Sequence, residues 1–123
     1  NKFKPVWVEK FDVSRLAKRC IISQPSTLIK RSCFEKVNGL DESLDFAMDY
    51  DLWWRLYRNF NKLKFFDKII SVNREHSHTK TNKFRLKHYK EAMYVVKKHY
   101  GKIPLKWWLY QPYSIWYRSI IRK

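Results

Sequence analysis

Residues 38–56 read Asn38-Gly39-Leu40-Asp41-Glu42-Ser43-Leu44-Asp45-Phe46-Ala47-Met48-Asp49-Tyr50-Asp51-Leu52-Trp53-Trp54-Arg55-Leu56. Five carboxylates fall in this stretch of a chain whose formal net charge is +16. Two of them, Asp49 and Asp51, stand where a polar loop gives way to apolar residues at helical spacing. Leu52, Trp53, Leu56, Tyr57 and Phe60 recur at i+3 and i+4, with Arg55, Arg58 and Asn59 opposite. This pattern predicts an amphipathic helix that starts near Met48 or Asp49. Carboxylates at such a junction have three open uses: a general base, a metal ligand, or favourable charge at the positive end of the helix dipole. Two residues apart on a helix, their side chains diverge, which argues against a paired acid–base dyad.

Working outward, Ser32-Cys33-Phe34-Glu35 fits a capping box, and Gly39 stands where a helix end wants a left-handed residue. A short helix over Cys33–Asn38 is predicted from these two signals. Val13–Cys20 is predicted as another short helix. Pro25 and the β-branched residues after it favour an extended approach. Beyond the central helix, two short strands are expected at Leu63–Phe66 and Ile69–Asn73. A long amphipathic helix over Lys83–Tyr100 should stop at Gly101, and a last one over Leu105–Ile121 should be interrupted at Pro112.

The chain has 123 residues, 45% of them hydrophobic and 18% aromatic. That is enough to bury one core and excludes a disordered tail. Two glycines and four prolines leave little material for tight turns and point to a helix-rich architecture. Cys20 and Cys33 have no companions at metal-ligand spacing and read as buried free thiols of a reducing compartment. No signal peptide is visible, and the uncharged run Trp107–Tyr117 is too short and too polar to span a bilayer. The opening Asn1-Lys2-Phe3 lacks an initiator Met, so a piece of a longer polypeptide is expected.

The charge is uneven. Residues 83–123 hold eleven Lys and Arg against one acid, Glu91, whereas six of the eleven acids lie between Glu35 and Asp51. A basic platform and a separate acidic site are therefore expected. A second polar cluster, Arg74-Glu75-His76-Ser77-His78-Thr79-Lys80-Thr81, follows the second expected strand. Imidazole, guanidinium, ammonium and hydroxyl groups together suit a phosphate or a divalent cation, although a solvated polar loop has the same composition.

The segments Gln24-Pro25-Ser26-Thr27, Arg31-Ser32, Glu35 to Leu44, Met48 to Leu56 and Arg74 to Thr81 follow one another in order and spacing. Over about residues 20–82 that series resembles the C-terminal, acceptor-side half of a family 2 glycosyltransferase with the GT-A fold. Its most specific part is the run from Leu40-Asp41-Glu42-Ser43-Leu44 to Asp49-Tyr50-Asp51-Leu52-Trp53. The resemblance implies an α/β, GT-A-like fragment: a helix-rich acceptor half with a few short strands, lacking the N-terminal nucleotide-binding sheet. It also implies a division into residues 1–82, belonging to that half, and 83–123, a basic and aromatic helical segment.

Carried onto this chain, the resemblance makes Asp49 the catalytic base that deprotonates an acceptor hydroxyl in inverting transfer. Met48 stands where the family usually has a second acid. His76 matches the histidine that helps bind the metal–diphosphate, with Arg74 and Lys80 beside the leaving diphosphate. Asp51 is implied as support. Trp53 and Trp54 are candidates to line the acceptor site, with core packing as the competing use of at least one. The complete enzyme would use a divalent metal, Mn or Mg, and take a nucleotide-sugar donor and a glycan or lipid-linked acceptor in cell-surface glycan synthesis. The Asp-x-Asp metal motif of the family's donor half is missing, so the chain is expected to be inactive by itself.

Lys and Arg interleaved with Trp107, Trp108, Tyr110, Tyr113, Trp116 and Tyr117 suit an in-plane helix on an anionic membrane surface. They equally suit aromatics packed back on the rest of the chain. The expected location is cytoplasmic, peripheral on the inner face of the plasma membrane. No motif supports nucleic-acid binding. The alternative to a transferase is a non-catalytic module with a transferase-like core that binds a membrane surface or another polyanion.

Overall fold

Apolar spacing near 3.6 residues dominates the chain, and the computed structural model is correspondingly helix-rich. It describes residues 10–66, 68–72 and 84–121. The elements are α1 (Val13–Lys18), a 3₁₀ turn (Gln24–Ser26), α2 (Arg31–Lys36), α3 (Met48–Phe60), α4 (Arg85–Tyr100) and α5 (Leu105–Ile121). Helix α3 starts where the junction of polar loop and apolar repeat predicted. Helix α4 ends as expected at Gly101, whose φ of 83° is left-handed and whose amide closes on the Lys97 carbonyl.

Several local expectations are corrected. Helix α2 begins at Arg31, capped by Lys30 without a side-chain hydrogen bond, so the Ser32–Glu35 capping box does not form. Glu35 instead accepts from Arg31 Nε at 2.7 Å one turn back, an exposed pair that contributes little. Among the described residues there is no strand: 61–66 and 68–72 run as irregular chain. Leu63, Phe66, Ile69, Ile70 and Val72 are exposed there. An isolated two-stranded hairpin is marginal in water, and these residues have no apolar face to cover. The helical assignment of α5 runs through Pro112 without the expected interruption. Both thiols are free, but Cys33 is half-buried and Cys20 exposed.

The central element is α3, and it is buried on two faces rather than one. Tyr50 and Trp54 join Leu16 and Ala17 of α1, Ala92, Met93, Val95 and Val96 of α4, and Trp107 of α5. Leu52, Trp53 and Leu56 join Val37 at the end of α2, with Phe34 and Cys33 packed against them. A helix covered on both sides loses the single polar face that its sequence suggested. The structure also shows where the basic last third begins to belong to the core. Helix α4 packs on α3, and Trp107 is 4% exposed.

Three hydrogen-bond devices hold these layers together. At the end of α1, Tyr50 Oη donates to the Leu16 carbonyl and Trp107 Nε1 donates to the Ala17 carbonyl at 2.7 Å. Two carbonyls that a helix end would leave orphaned are thereby satisfied from α3 and α5. At the end of α2, Asn38 and Gly39 both take left-handed φ, 62° and 65°. The Gly39 amide reaches back to the Phe34 carbonyl at 3.0 Å, and a Cβ on Gly39 would stand 3.2 Å from the Phe34 ring.

The third device uses the one acid of the last third. Ala47, the N-cap of α3, offers no side-chain acceptor. Glu91 of α4 supplies one, accepting from the amides of Asp45 (3.2 Å), Phe46 (2.7 Å) and Ala47 (3.0 Å). A carboxylate at this end of the helix also complements its dipole. Glu91→Ala is expected to lower stability by about 2 kcal/mol, through three amides left without a charged acceptor. Urea denaturation reads this as a lower midpoint at an unchanged slope; an unaltered midpoint would contradict the role.

Among the described residues no helix is long and apolar enough to cross a membrane.

Candidate active site

The first turn of α3 holds Asp49 and Asp51, and about 200° of helical rotation separates them. The tertiary structure turns this angle into two different environments. Asp51 faces inward and is 0% exposed. Asp49 is half-buried at the end of the 40–47 loop.

Around Asp51 the chain assembles three polar partners from two helices. Arg55 Nε, one turn along α3, donates to Oδ2 at 2.6 Å. His99 Nε2, near the end of α4, donates to Oδ1 at 2.6 Å, and Lys98 Nζ reaches the same oxygen at 3.3 Å. Lys98 also lies 3.7 Å from Asp41 Oδ2. Arg55 continues the network to α2, donating through Nη1 to the carbonyls of Val37 and Gly39. Burial by itself would raise the Asp51 carboxyl; the hydrogen bonds from His99 and Arg55, with the charges of Arg55 and Lys98, outweigh it and hold the group well below the usual carboxylate range. Asp51 is thus a buried anion committed to joining α2, α3 and α4. Both of its oxygens are taken up by these donors.

Asp49 is different. Its Oδ1 accepts from the neighbouring Tyr50 amide at 2.8 Å, and among the described residues no cation pairs with it. Its charge is felt by Cys20. Although that residue is exposed, its thiol donates to the Ile22 carbonyl at 3.4 Å. Burial of the sulphur first, and then the Asp49 carboxylate, pushes the thiol up to about 12. An ionised Asp49 disfavours a second negative charge beside it.

This pairing carries a direct test. With Cys33 replaced by serine, Cys20 at pH 8 should hold about a thousandfold less thiolate than an ordinary cysteine, and alkylate correspondingly slowly. Asp49→Asn should speed that reaction. A labelling midpoint between pH 8 and 9 in the Cys33→Ser protein would show that the Cys20 sulphur is not buried, and an unchanged rate on adding Asp49→Asn would show that Asp49 does not act on it.

The indoles of Trp53 and Trp54 are 3% and 2% exposed. Trp54 stacks on His99, with centroids 6.1 Å apart and planes within 5°, and tilts against Tyr50 and Tyr100. Neither presents a ring face on which a sugar could stack, so both serve the core. The physical reason is the double-sided burial of α3. Arg74, His76 and Lys80, the expected diphosphate and metal residues, lie outside the described residues. Among the described residues no group of three His, Cys, Asp or Glu side chains could hold a metal ion.

Comparison with protein-family models, curated proteins and solved structures finds no match to this chain.

Two residues of the site region escaped the sequence reading. His99 and Lys98 lie some 50 positions from Asp51, and no local pattern links them. Glu91 did carry a signal, as the lone acid in a strongly basic third, which is what a charge recruited for one specific acceptor task looks like.

Proposed function

We propose that this chain is the acceptor-side part of an inverting glycosyltransferase that moves a sugar from a nucleotide-diphosphate donor to a hydroxyl of a glycan or lipid-linked acceptor. The observation that carries this reading is the division of labour between two carboxylates in one helical turn. Asp51 is consumed by His99, Arg55 and Lys98, whereas Asp49 is half-buried at the loop edge without a cationic partner among the described residues. A carboxylate with no counter-charge among the described residues, held by a helix, is suited to accept a proton.

In the proposed reaction Asp49 takes the proton of an acceptor hydroxyl as the hydroxyl oxygen bonds to the anomeric carbon. The bond from that carbon to the donor's diphosphate breaks on the opposite side. The nucleoside diphosphate leaves with the electron pair, and the departing charge calls for cations. Arg74 and Lys80 are the proposed cations, with His76 at a divalent metal that would stabilise the same diphosphate when bound. The order and spacing of the motifs from Gln24 to Thr81 support this assignment; the donor-binding half would lie elsewhere in the complete protein.

The test uses the intact polypeptide. Asp49→Asn should abolish sugar transfer while leaving donor binding intact. Undiminished transfer by that variant would remove Asp49 from the mechanism.

A further inference from the structure

One side of α4 is given over to the segment that leads into α3. Phe84, the N-cap of α4, is followed by His88, Glu91 and Lys98 at steps of four, three and seven residues, so they share one side of the helix. Each of them meets residues 41–47. The Phe46 ring packs on Phe84, with centroids 5.9 Å apart, and edge-on to His88 at 6.3 Å. Glu91 takes the amides of Asp45, Phe46 and Ala47. Lys98 Nζ lies 3.7 Å from Asp41 Oδ2, a partly exposed pair that contributes less. Asp41 in turn accepts from the amide and the hydroxyl of Ser43, at 3.0 and 2.6 Å. Helix α4 thus holds this segment at both ends.

The start of a helix leaves amides that need acceptors, and side chains of its own cap or first turn are the usual suppliers. In α3 these suppliers are otherwise occupied. Ala47 has no acceptor side chain, and Asp51 is turned toward Arg55, His99 and Lys98. Asp49 is the remaining acid of that turn. Glu91 does the work in its place from another helix, and among the described residues Asp49 keeps a single donor, the Tyr50 amide at 2.8 Å.

We propose that Glu91 is the positioning residue for Asp49: by capping α3 from α4 it spares the Asp49 carboxylate that task and keeps it at the loop edge, where an acceptor hydroxyl would meet it. The inference rests on the reading of Asp49 as general base. Glu91 itself touches no reacting atom. Without its carboxylate, three donors stand vacant within four residues of Asp49. They draw the Asp49 side chain back, as an acid in a capping box is drawn to the amide at the helix start. A carboxylate engaged in that way is a weaker base, and it has left the place where the proton is taken.

Cys20 reports the state of Asp49 without a transfer assay, because that carboxylate acts on its thiol. In the Cys33→Ser protein, Glu91→Ala should speed alkylation of Cys20 about two- to fivefold, as Asp49 gains donors that damp its charge. With Asp49→Asn already present, adding Glu91→Ala should leave the rate within about 1.5-fold. Glu91→Gln keeps an oxygen for Phe46 and Ala47 but sets its NH₂ group against the Asp45 amide. Its effect should be smaller and its fold closer to the original, so it serves where the alanine variant does not fold by circular dichroism. In the intact polypeptide, Glu91→Ala should lower kcat about tenfold at an unchanged KM for the donor, and Glu91→Gln should restore part of it. Three outcomes would overturn the proposal: an equal speeding of alkylation with and without Asp49→Asn, no change of rate in either folded Glu91 variant, or an unaltered kcat in those variants where Asp49→Asn abolishes transfer. Undiminished transfer by Asp49→Asn alone would remove the proposed function, and the thiol measurements would still decide whether Glu91 holds Asp49 in place.

Discussion

Replacing Asp51 by alanine is expected to cost about 3–5 kcal/mol, a large share of the roughly 5–15 kcal/mol that stabilises a domain. The side chain is 0% exposed and accepts from Arg55 and His99 at 2.6 Å, with Lys98 at 3.3 Å. Removing it leaves the guanidinium of Arg55, whose side chain is 20% exposed, and the imidazole of His99, at 4%, without their acceptor. The cost arises from stranding these donors in the interior rather than from loss of an attraction between the charges. Urea denaturation should show a steep fall in midpoint, and a change under 1 kcal/mol would mean that water already reaches the cluster.

The same network sets a pH dependence of known sign. The Asp51 carboxyl in the folded chain is held below its unfolded value, near 4. Its contribution to stability is therefore complete above about pH 4 and is lost as the pH falls toward the lower folded value. Asp51→Asn should remove that part of the acid sensitivity. Alanine and asparagine variants together separate the charge from the shape.

The second large effect is on turnover. On the proposed function, Asp49→Asn in the intact polypeptide should reduce sugar transfer by a factor of about 10²–10⁴, the usual worth of a positioned general base. Donor affinity should be preserved, and so should the thermal midpoint, because Asp49 is half-buried and its carboxylate accepts from the adjacent Tyr50 amide. The contrast with Asp51 is the informative part. One carboxylate should control rate without stability, and the other should remove activity only together with the fold. Equal destabilisation by both substitutions would make Asp49 structural.

Much of the local structure was legible. Leu52, Trp53 and Leu56 at helical spacing placed α3 to within a residue of its observed start, because an apolar repeat near 3.6 is a local signal of helix. Gly101 marked the end of α4 because only a residue tolerant of positive φ closes a helix that way. The capping box at Ser32 failed because α2 starts at Arg31, and Glu35 found a partner one turn back. The strands expected at 63–66 and 69–73 rested on β-branched and aromatic composition. That composition stabilises a strand only where neighbouring strands and a covering face exist.

What the sequence by itself determined is the set of helices, the position of Asp49 at the start of one of them, and the scarcity of acids in the last third. Periodicity, turn chemistry and composition are local quantities, so a linear reading reaches them. Only the tertiary structure decided which carboxylate is buried among donors from a second helix. Asp49 and Asp51 are chemically identical and two residues apart, and their difference is made by His99, Lys98 and Arg55 converging on one and not the other. It also decided that Trp53 and Trp54 belong to the core and that α5 turns Leu109, Tyr113 and Trp116 outward. Each of these outcomes depends on a neighbour distant in sequence, and burial is a property of the assembled packing that no residue carries alone.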